Sequence, residues 1–192
     1  DGNRIKGILE ENGLEKQANV MPFENASGSV YGVTESGVIT ARANYISQMN
    51  KKGEVIWETA TSISEPVLDV NGNYIVIADS NGKGICLYYR NKLAYSVQAE
   101  NPILTVNVSS DGDTVVTTNK EFFKGAVEVF NKTGRRIFSW NSGSEYVMDA
   151  SISPSTRRLA VSLLNTDENA KTNIRFFNIK DGKEYYTGTL EN

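Results

Sequence analysis

The chain contains no histidine, and this absence removes a large part of enzyme chemistry. Histidine is the usual general base near neutral pH and the commonest metal ligand in proteins. Ser-His-Asp and Cys-His catalytic arrangements are therefore excluded within these 192 residues. Chemistry based on carboxylates stays open, but we predict a protein that is not an enzyme, with no catalytic residues, no cofactor-binding residues and no metal ligands.

Cysteine is almost as scarce, since Cys86 is the only one. A single cysteine cannot form an intramolecular disulfide. It lies inside the apolar stretch ICLYY, so we predict a buried strand residue and not a nucleophile. The cysteine count leaves the cellular compartment open.

The sequence also lacks an excess of basic residues and any long apolar run. Its formal net charge of -3 gives no positive field for holding phosphates, so nucleic-acid binding is not expected. No window approaches the run of about 18 apolar residues that a membrane helix needs. Because the chain begins at Asp1 without methionine, we expect that either processing or a cloning decision removed what preceded it, with a signal peptide or a membrane anchor as candidates for the missing piece.

Short apolar runs separated by turn residues fill the chain after about Ser27. Examples are YIVIA, ICLYY, AVEVF and RLAVSL, each closed by Gly, Asn, Asp or Ser. These residues favour turns because they supply positive φ angles or side-chain hydrogen bonds to the backbone. Most of the 16 glycines lie in such turns, and there are only four prolines. This pattern predicts an all-β protein built from hairpins.

The turns recur at a regular distance. Gly72 in VNGNYIVI corresponds to Gly112 in SSDGDTVV, and Ser109 corresponds to Ser153 in SPSTRRLAV. Both pairs are spaced by roughly 40 to 45 residues, which is the length of one propeller blade. The repeat therefore indicates one four-stranded sheet per unit.

Two further landmarks recur in phase with these turns. An aromatic residue ends each of KKGEVIW, RNKLAY, KTGRRIF and DGKEYY, and we predict that these rings pack between neighbouring sheets. They are Trp57, Tyr95, Phe138 and Tyr186. A proline, at Pro66 and Pro102, stands where the first strand of a unit begins and where a missing N–H is tolerated.

We therefore predict a β-propeller or partial propeller of about four four-stranded blades. The first strand of each blade is predicted to be the innermost, and the fourth strand carries the aromatic ring. The predicted blades span about residues 28–60, 61–98, 99–141 and 142–190 of a region 28–192. Residues 1–27 have helical spacing at Ile5, Ile8 and Leu9, which predicts a short helix or a linker.

Few residues point to a binding site. Asp111 and Asp113 flank Gly112 and are candidates for a cation, although Asp-Gly-Asp at a hairpin tip is explained better by turn propensity. Gly82 and Gly84 lack the strand-to-helix context of a phosphate loop and are interpreted as a tight turn.

Two other pairs of residues have both a functional and a structural interpretation. Asp167 and Glu168 lie in a long loop, NTDENAKTN, where propellers display binding residues, although a solvated insertion is favoured. Glu145 and Tyr146 precede an innermost strand and are predicted to lie near the central channel. A structural role is favoured for them as well, because fold does not imply function.

The exit strand KKGEVIW and the turn SPSTRRLAV resemble quinoprotein-like and YVTN-type propellers. Over about residues 27–186 the chain more closely resembles a bacterial family of unknown function. Its members carry one N-terminal membrane helix followed by an extracytoplasmic propeller. The resemblance implies a missing membrane anchor, a location outside the cell membrane and further blades after the C-terminus. Thr156 departs from the glycine expected in that turn.

The favoured hypothesis is a non-catalytic, extracytoplasmic scaffold of the bacterial cell envelope that holds a protein or a cell-wall glycan. No cofactor is expected. One alternative is a quinoprotein-like or lactonase-type propeller enzyme. The other is a self-assembling structural domain, because an open stack of sheets leaves apolar faces that a second copy of the chain would cover as a homodimer.

Overall fold

The computed structural model describes residues 27–154, 157–166 and 170–190, which form four antiparallel four-stranded sheets and no helix. The strands of the first sheet are β1–β4, at Val30–Thr34, Gly37–Arg42, Tyr45–Asn50 and Val55–Ala60. Those of the second are β5–β8, at Pro66–Asn71, Tyr74–Asp79, Gly84–Tyr89 and Lys92–Gln98. Those of the third are β9–β12, at Ile103–Val108, Thr114–Thr118, Ala126–Phe130 and Arg136–Asn141. Those of the fourth are β13–β16, at Tyr146–Ile152, Arg158–Asn165, Lys171–Asn178 and Lys183–Leu190.

Each sheet is a meander in which every strand pairs with its neighbour in the chain. Two-residue turns with positive φ angles suit the right-handed twist of such hairpins. Arg90 and Asn91, at φ 49° and 62°, connect β7 to β8 in this way. Gly112 at φ 84° closes the turn after β9, whereas Arg157 at φ 50° closes the turn after β13. An arginine therefore adopts the left-handed conformation in this turn, whereas the preceding repeat has a glycine in that conformation.

The first strand of each sheet lies beside the first strand of the next, so β1, β5, β9 and β13 are the innermost strands. Polar side chains join them. The Asp69 carboxylate accepts a hydrogen bond of 2.8 Å from the Val108 N–H, which connects β5 to β9. Asn107 donates 2.9 Å to Asp149 and 3.0 Å to the Ala150 carbonyl, which connects β9 to β13. These bonds set the sheets in register around the inner axis.

The cores lie between successive sheets, and the two middle strands of each central sheet are buried on both faces. In β6, Ile75 and Ile77 pack toward the first sheet. Val76 and Ala78, on the opposite face, pack toward the third. Because side chains alternate across a strand, a sheet covered on both sides needs an unbroken apolar run, as in YIVIA. The predicted buried position of Cys86 is confirmed, since it packs in the core between the first two sheets.

Three of the four repeated aromatic residues lie between sheets, as predicted. Trp57 contacts Tyr88 of the second sheet edge-on at 5.1 Å, and Phe138 lies 5.6 Å from Phe177 of the fourth sheet. Tyr95 is 8% exposed, and its hydroxyl donates a hydrogen bond of 2.9 Å to Thr114 of the third sheet. Burial raises the pKa of Tyr95 to about 12.

The prediction is wrong for Tyr186, whose side chain is 59% exposed. Its ring contacts Phe176 of its own sheet at 5.7 Å. The physical reason is its position on the far side of the fourth sheet, where no further described sheet packs. The sequence repeat therefore predicts the position of the aromatic residue within its strand. Whether the ring is buried depends on a neighbouring sheet that packs against it.

The fold class predicted from the repeats is confirmed: the chain is all-β, with four-stranded sheets arranged as propeller blades. Strand β5 begins at Pro66, and Pro102 directly precedes β9, as expected for a proline at the start of a strand. The short helix or linker predicted for residues 1–27 lies outside the described residues except for its last position. Thr156, Asp167 and Glu168 also lie outside them.

Replacing Tyr95 with alanine is expected to lower the free energy of unfolding by about 3–5 kcal/mol, because it empties a site between two sheets. The equivalent change of Tyr186 is the matched control and is expected to cost no more than about 0.5 kcal/mol. Urea unfolding in dilute solution measures both. Equal losses for the two variants would contradict this arrangement of the rings.

Candidate functional site

The loop Asn119–Gly125, with the sequence NKEFFKG, connects β10 to β11 at one end of the third sheet. Backbone hydrogen bonds hold it at both ends. Asn119 N–H donates to the Pro102 carbonyl at 2.8 Å, and Lys124 N–H donates to the Ser142 carbonyl at 2.8 Å. The Lys124 carbonyl in turn accepts from Val147 N–H at 3.2 Å. The loop is therefore fixed to its own sheet and to the fourth.

Phe122 stands at the tip of this loop with 92% of its side chain exposed. Its backbone has φ 64°, the left-handed conformation. For a residue other than glycine this conformation costs roughly 1–2 kcal/mol. A large apolar side chain is thus held in water at a backbone position that does not suit it.

A cavity of about 450 Å³ opens beside the loop, between the third and fourth sheets. Phe123, Leu104, Tyr146 and Met148 line it, and each of these side chains is more than a third exposed. Together with Phe122 they form what we call the Phe122 surface. Groups of exposed apolar side chains are typical of protein contact sites, so this surface is a candidate functional site.

Two lysines border the Phe122 surface. Lys124 lies 4.4 Å from the centre of the Tyr146 ring, and its ammonium group donates 3.0 Å to the Tyr146 hydroxyl. Lys120 lies 5.4 Å from the centre of the Phe123 ring. The loop also contains Glu121, so its formal charge is slightly positive. The surface consequently combines apolar rings with cations.

Glu145 and Tyr146, the pair predicted near the central channel, have different roles. Glu145 is buried, accepts a hydrogen bond of 2.6 Å from Arg175 and is also bonded to Asn173. Ser142 donates to its backbone carbonyl at 2.5 Å. Glu145 is therefore a paired structural carboxylate, whereas Tyr146 is exposed at the start of innermost strand β13 and belongs to the Phe122 surface.

Asp111 and Asp113 lie at the opposite end of the sheets, in a polar cavity of about 490 Å³. Asp111 is exposed, while Asp113 is buried and lies 3.8 Å from Arg157. Burial raises the pKa of the Asp113 carboxyl, and the charge of Arg157 partly offsets this effect. Ser109 accepts the N–H groups of both aspartates at 3.3 and 3.1 Å, which confirms a turn at this site.

The remaining candidates have structural roles or lie elsewhere. Gly82 lies in the turn between β6 and β7, where a Cβ atom would meet the Asp79 carboxylate, and Gly84 begins β7. Within the described ranges no three carboxylate or cysteine side chains converge on a metal position. Asp167 and Glu168 fall outside those ranges. The same ranges contain no helix of the length and hydropathy required to cross a bilayer.

Sequence reasoning missed Phe122 and Phe123. The signal was present, because two adjacent phenylalanines in NKEFFKG interrupt a polar stretch between two strands. Neither the strand pattern nor the turn pattern requires an apolar residue there. Their exposure, however, depends on the loop conformation and only the structure shows it.

Solved structures with the same fold are distant in sequence. BamB from Moraxella catarrhalis has a TM-score of 0.62 at 15% identity, over 89% of this chain and 51% of that chain. A loop-replaced form of Hsv2 from Kluyveromyces lactis has a TM-score of 0.67 at 15% identity, over 93% and 60%. BBS1N in complex with ARL6DN has a TM-score of 0.61 at 12% identity, over 90% and 59%.

These similarities show a β-propeller fold. The chain spans about half to three-fifths of the length of the solved propellers it matches. No curated protein matches the sequence. The family model for DUF5711, a family of unknown function, matches residues 13–190. The chain therefore belongs to the DUF5711 family.

Proposed function

We propose that this chain is a non-catalytic propeller module that binds a protein partner through the Phe122 surface. The observation that carries the proposal is Phe122 itself, which is almost fully exposed in a left-handed backbone conformation. Exposure of an aromatic ring to water and an unfavourable φ angle both cost stability. A contact made when a partner binds would offset both costs.

The chemistry of the surface restricts the partner. Its aromatic and aliphatic side chains fit a segment that presents apolar groups, and the cavity beside Phe123 accommodates one anchoring side chain. Lys120 and Lys124 at the border favour acidic residues next to that anchor. We therefore infer an apolar protein segment flanked by Asp or Glu.

Two considerations support a scaffold in preference to an enzyme. The solved structure of BBS1N, a propeller similar in fold, contains a second protein, ARL6DN. In the present chain, the buried carboxylates Glu128 and Glu145 each pair with an arginine, at 3.0 Å to Arg136 and 2.6 Å to Arg175. Such pairing suits a structural role for these carboxylates.

The proposed site of action is the outer side of the bacterial cytoplasmic membrane. The support for this location is the sequence resemblance to membrane-anchored extracytoplasmic propellers. A module held there by an anchor would present its loops to other envelope proteins, which is the geometry that a scaffold requires.

Replacing Phe122 with glycine is expected to leave the free energy of unfolding unchanged or slightly higher. The change relieves a left-handed strain of roughly 1–2 kcal/mol and adds a backbone entropy cost of about 0.5–1 kcal/mol. Thermal and urea unfolding measure the difference. Phe130→Ala in the same sheet is the control and is expected to lose about 3–5 kcal/mol. A loss above about 1 kcal/mol for Phe122→Gly would show that the ring stabilises the fold.

The partner is identified by photo-crosslinking in cells that make the protein. A benzophenone side chain at position 122 is expected to form adducts that are absent when the same group replaces Leu93, an exposed apolar residue of the second sheet. The adduct protein is then purified, and its affinity is measured for the wild type, Phe122→Ser and Leu93→Ser.

Phe122→Ser is expected to weaken binding about 30-fold, the effect of a contact worth about 2 kcal/mol. Leu93→Ser is expected to bind as the wild type does. Identical adducts at both positions, or equal affinities for both serine variants, would reject the Phe122 surface as the binding site.

As a second candidate, we propose that two copies of the chain close one ring of eight sheets. The observation that favours it is the apolar character of the two end faces of the stack. On the outer face of the first sheet these residues are Tyr31, Val33, Val38, Met49 and Val55. On the outer face of the fourth they are Leu164, Ile174, Phe176, Tyr186 and Leu190. A two-fold axis would place the outer face of the first sheet of each copy against the outer face of the fourth sheet of the other copy. The two junctions formed in this way would close the ring.

Sedimentation equilibrium tests this candidate, with a species of about twice 21.1 kDa expected at micromolar concentration. Val33→Asp and Tyr186→Asp, one on each end face, are each expected to shift the chain to monomer. Leu93→Asp is the matched control and is expected to leave the dimer intact. A wild-type chain that stays monomeric from 1 to about 100 micromolar, well above the Kd of most specific dimers, would overturn the candidate.

A further inference from the structure

A polar groove crosses the end of the sheets opposite the Phe122 surface, and it is lined by residues of all four. One part is the cavity of about 490 Å³ that contains Asp111 and Asp113. The other is a cavity of about 280 Å³ between the first and second sheets. Gly72 and Asn73 line both cavities, so the two are adjoining parts of one groove. The larger volume falls within the range of about 300–1,000 Å³ that is typical of small-molecule sites, and the smaller lies just below it.

In the smaller cavity of this groove, the buried side chain of Gln48 has a hydrogen-bond acceptor that is unpaired among the described residues. Its side chain is 2% exposed, and its amide group donates 3.0 Å to the Thr34 hydroxyl and 2.7 Å to the Ser36 hydroxyl. No described residue donates a hydrogen bond to its Oε1 atom, although Gln48 lines the smaller cavity. An unpaired buried acceptor costs about 1–3 kcal/mol. A ligand with a hydrogen-bond donor would remove that cost.

The larger cavity presents charges of both signs. Asp111 and Asp113 contribute two carboxylates, and Lys132 and Arg157 contribute two cations, so the formal charges cancel. Asp113 lies 3.8 Å from Arg157 and also accepts a backbone hydrogen bond from Lys132. The lining also includes hydroxyl and amide groups that both donate and accept. They belong to Tyr74, Tyr89, Ser110, Asn131 and Thr133.

We propose that this groove binds an uncharged oligosaccharide, with Gln48 accepting a ligand hydroxyl at one end and Asp111, Asp113 and Lys132 bonding to hydroxyls at the other. A sugar hydroxyl donates and accepts at the same atom. A chain of such hydroxyls can therefore donate hydrogen bonds to the acceptors of the groove and accept them from its cations. An uncharged sugar does so without adding net charge. The site is separate from the Phe122 surface and does not depend on the proposed protein partner.

Other ligand classes match the groove less well. An anionic ligand would pair with Lys132 and Arg157, and with Arg90 in the smaller cavity. It would also face the two carboxylates of the larger cavity, and like charges at close range are unfavourable. An apolar peptide side chain would leave Gln48 Oε1 without a donor. An oligosaccharide of several units suits the groove because its two parts lie on either side of Gly72 and Asn73.

The test begins with the purified chain on an array of uncharged bacterial and plant oligosaccharides, with tetragalacturonate as an anionic comparison. Calorimetric titration then measures affinity for the best array ligand. Asp111→Ala and Lys132→Ala, both at exposed positions, are each expected to weaken binding about three- to tenfold, the effect of one lost hydrogen bond. Asp181→Ala, in an exposed turn of the fourth sheet, is the matched control and is expected to bind as the wild type does.

Three outcomes would overturn the proposal. They are failure of every uncharged oligosaccharide to bind, tighter binding of tetragalacturonate, and binding that Asp111→Ala and Lys132→Ala leave unchanged. Phe122→Ser serves as an additional control, because it removes the proposed protein contact at the other end and is expected to leave sugar affinity unaltered. Failure of the protein-binding proposal and failure of this one are therefore distinguishable.

Discussion

The structure depends on face-to-face burial between successive sheets. A four-stranded antiparallel meander leaves two broad faces, and apolar side chains on a face gain about 25 cal/mol per Å² when a neighbour covers them. The second and third sheets have a neighbour on each side, so Val76 and Ile77 are both fully buried although they point in opposite directions. The first and fourth sheets have one described neighbour each. In β2 the difference is visible at adjacent residues, since Ile39 is buried and Val38 only half-buried.

Apolar faces alone do not fix how one sheet is placed on the next, because burial is not directional. The directional contacts are polar. Asp69 and Asp149 accept hydrogen bonds from the innermost strand of the third sheet, and Tyr95 reaches Thr114 across the interface nearer the outside. A shift of one sheet along its neighbour would break these bonds. It would leave the buried hydroxyls of Tyr95 and Thr114 unpaired, which costs more than their bond contributes when intact. Burial brings the sheets together, and these residues determine their alignment.

The repeat made most of the fold predictable. Turn glycines, starting prolines and the aromatic of the fourth strand recur in phase, and each has a local cause that does not depend on distant residues. Tyr186 is the exception. Its position in the repeat predicts which face of the sheet its ring lies on, but not whether another sheet covers that face. For a related reason, the Phe122 surface and the groove were predictable only as single candidate residues, such as Tyr146 and Asp111, and not as assembled sites. A cavity such as the one around Gln48 is formed by turns from different sheets, and no spacing in the sequence indicates their proximity.

The connectivity of the sheets has a consequence for biosynthesis. All hydrogen-bonded strand pairs of the named strands join consecutive strands, so each sheet is complete within a contiguous stretch of the chain. Contacts that are close in sequence require little loop closure and form early. During translation, the first sheet can form its hairpins before the second has left the ribosome, and each later sheet then adds to a surface that already exists. Growth in this order leaves one new apolar face uncovered at any moment, in addition to the outer face of the first sheet, which limits aggregation of the nascent chain.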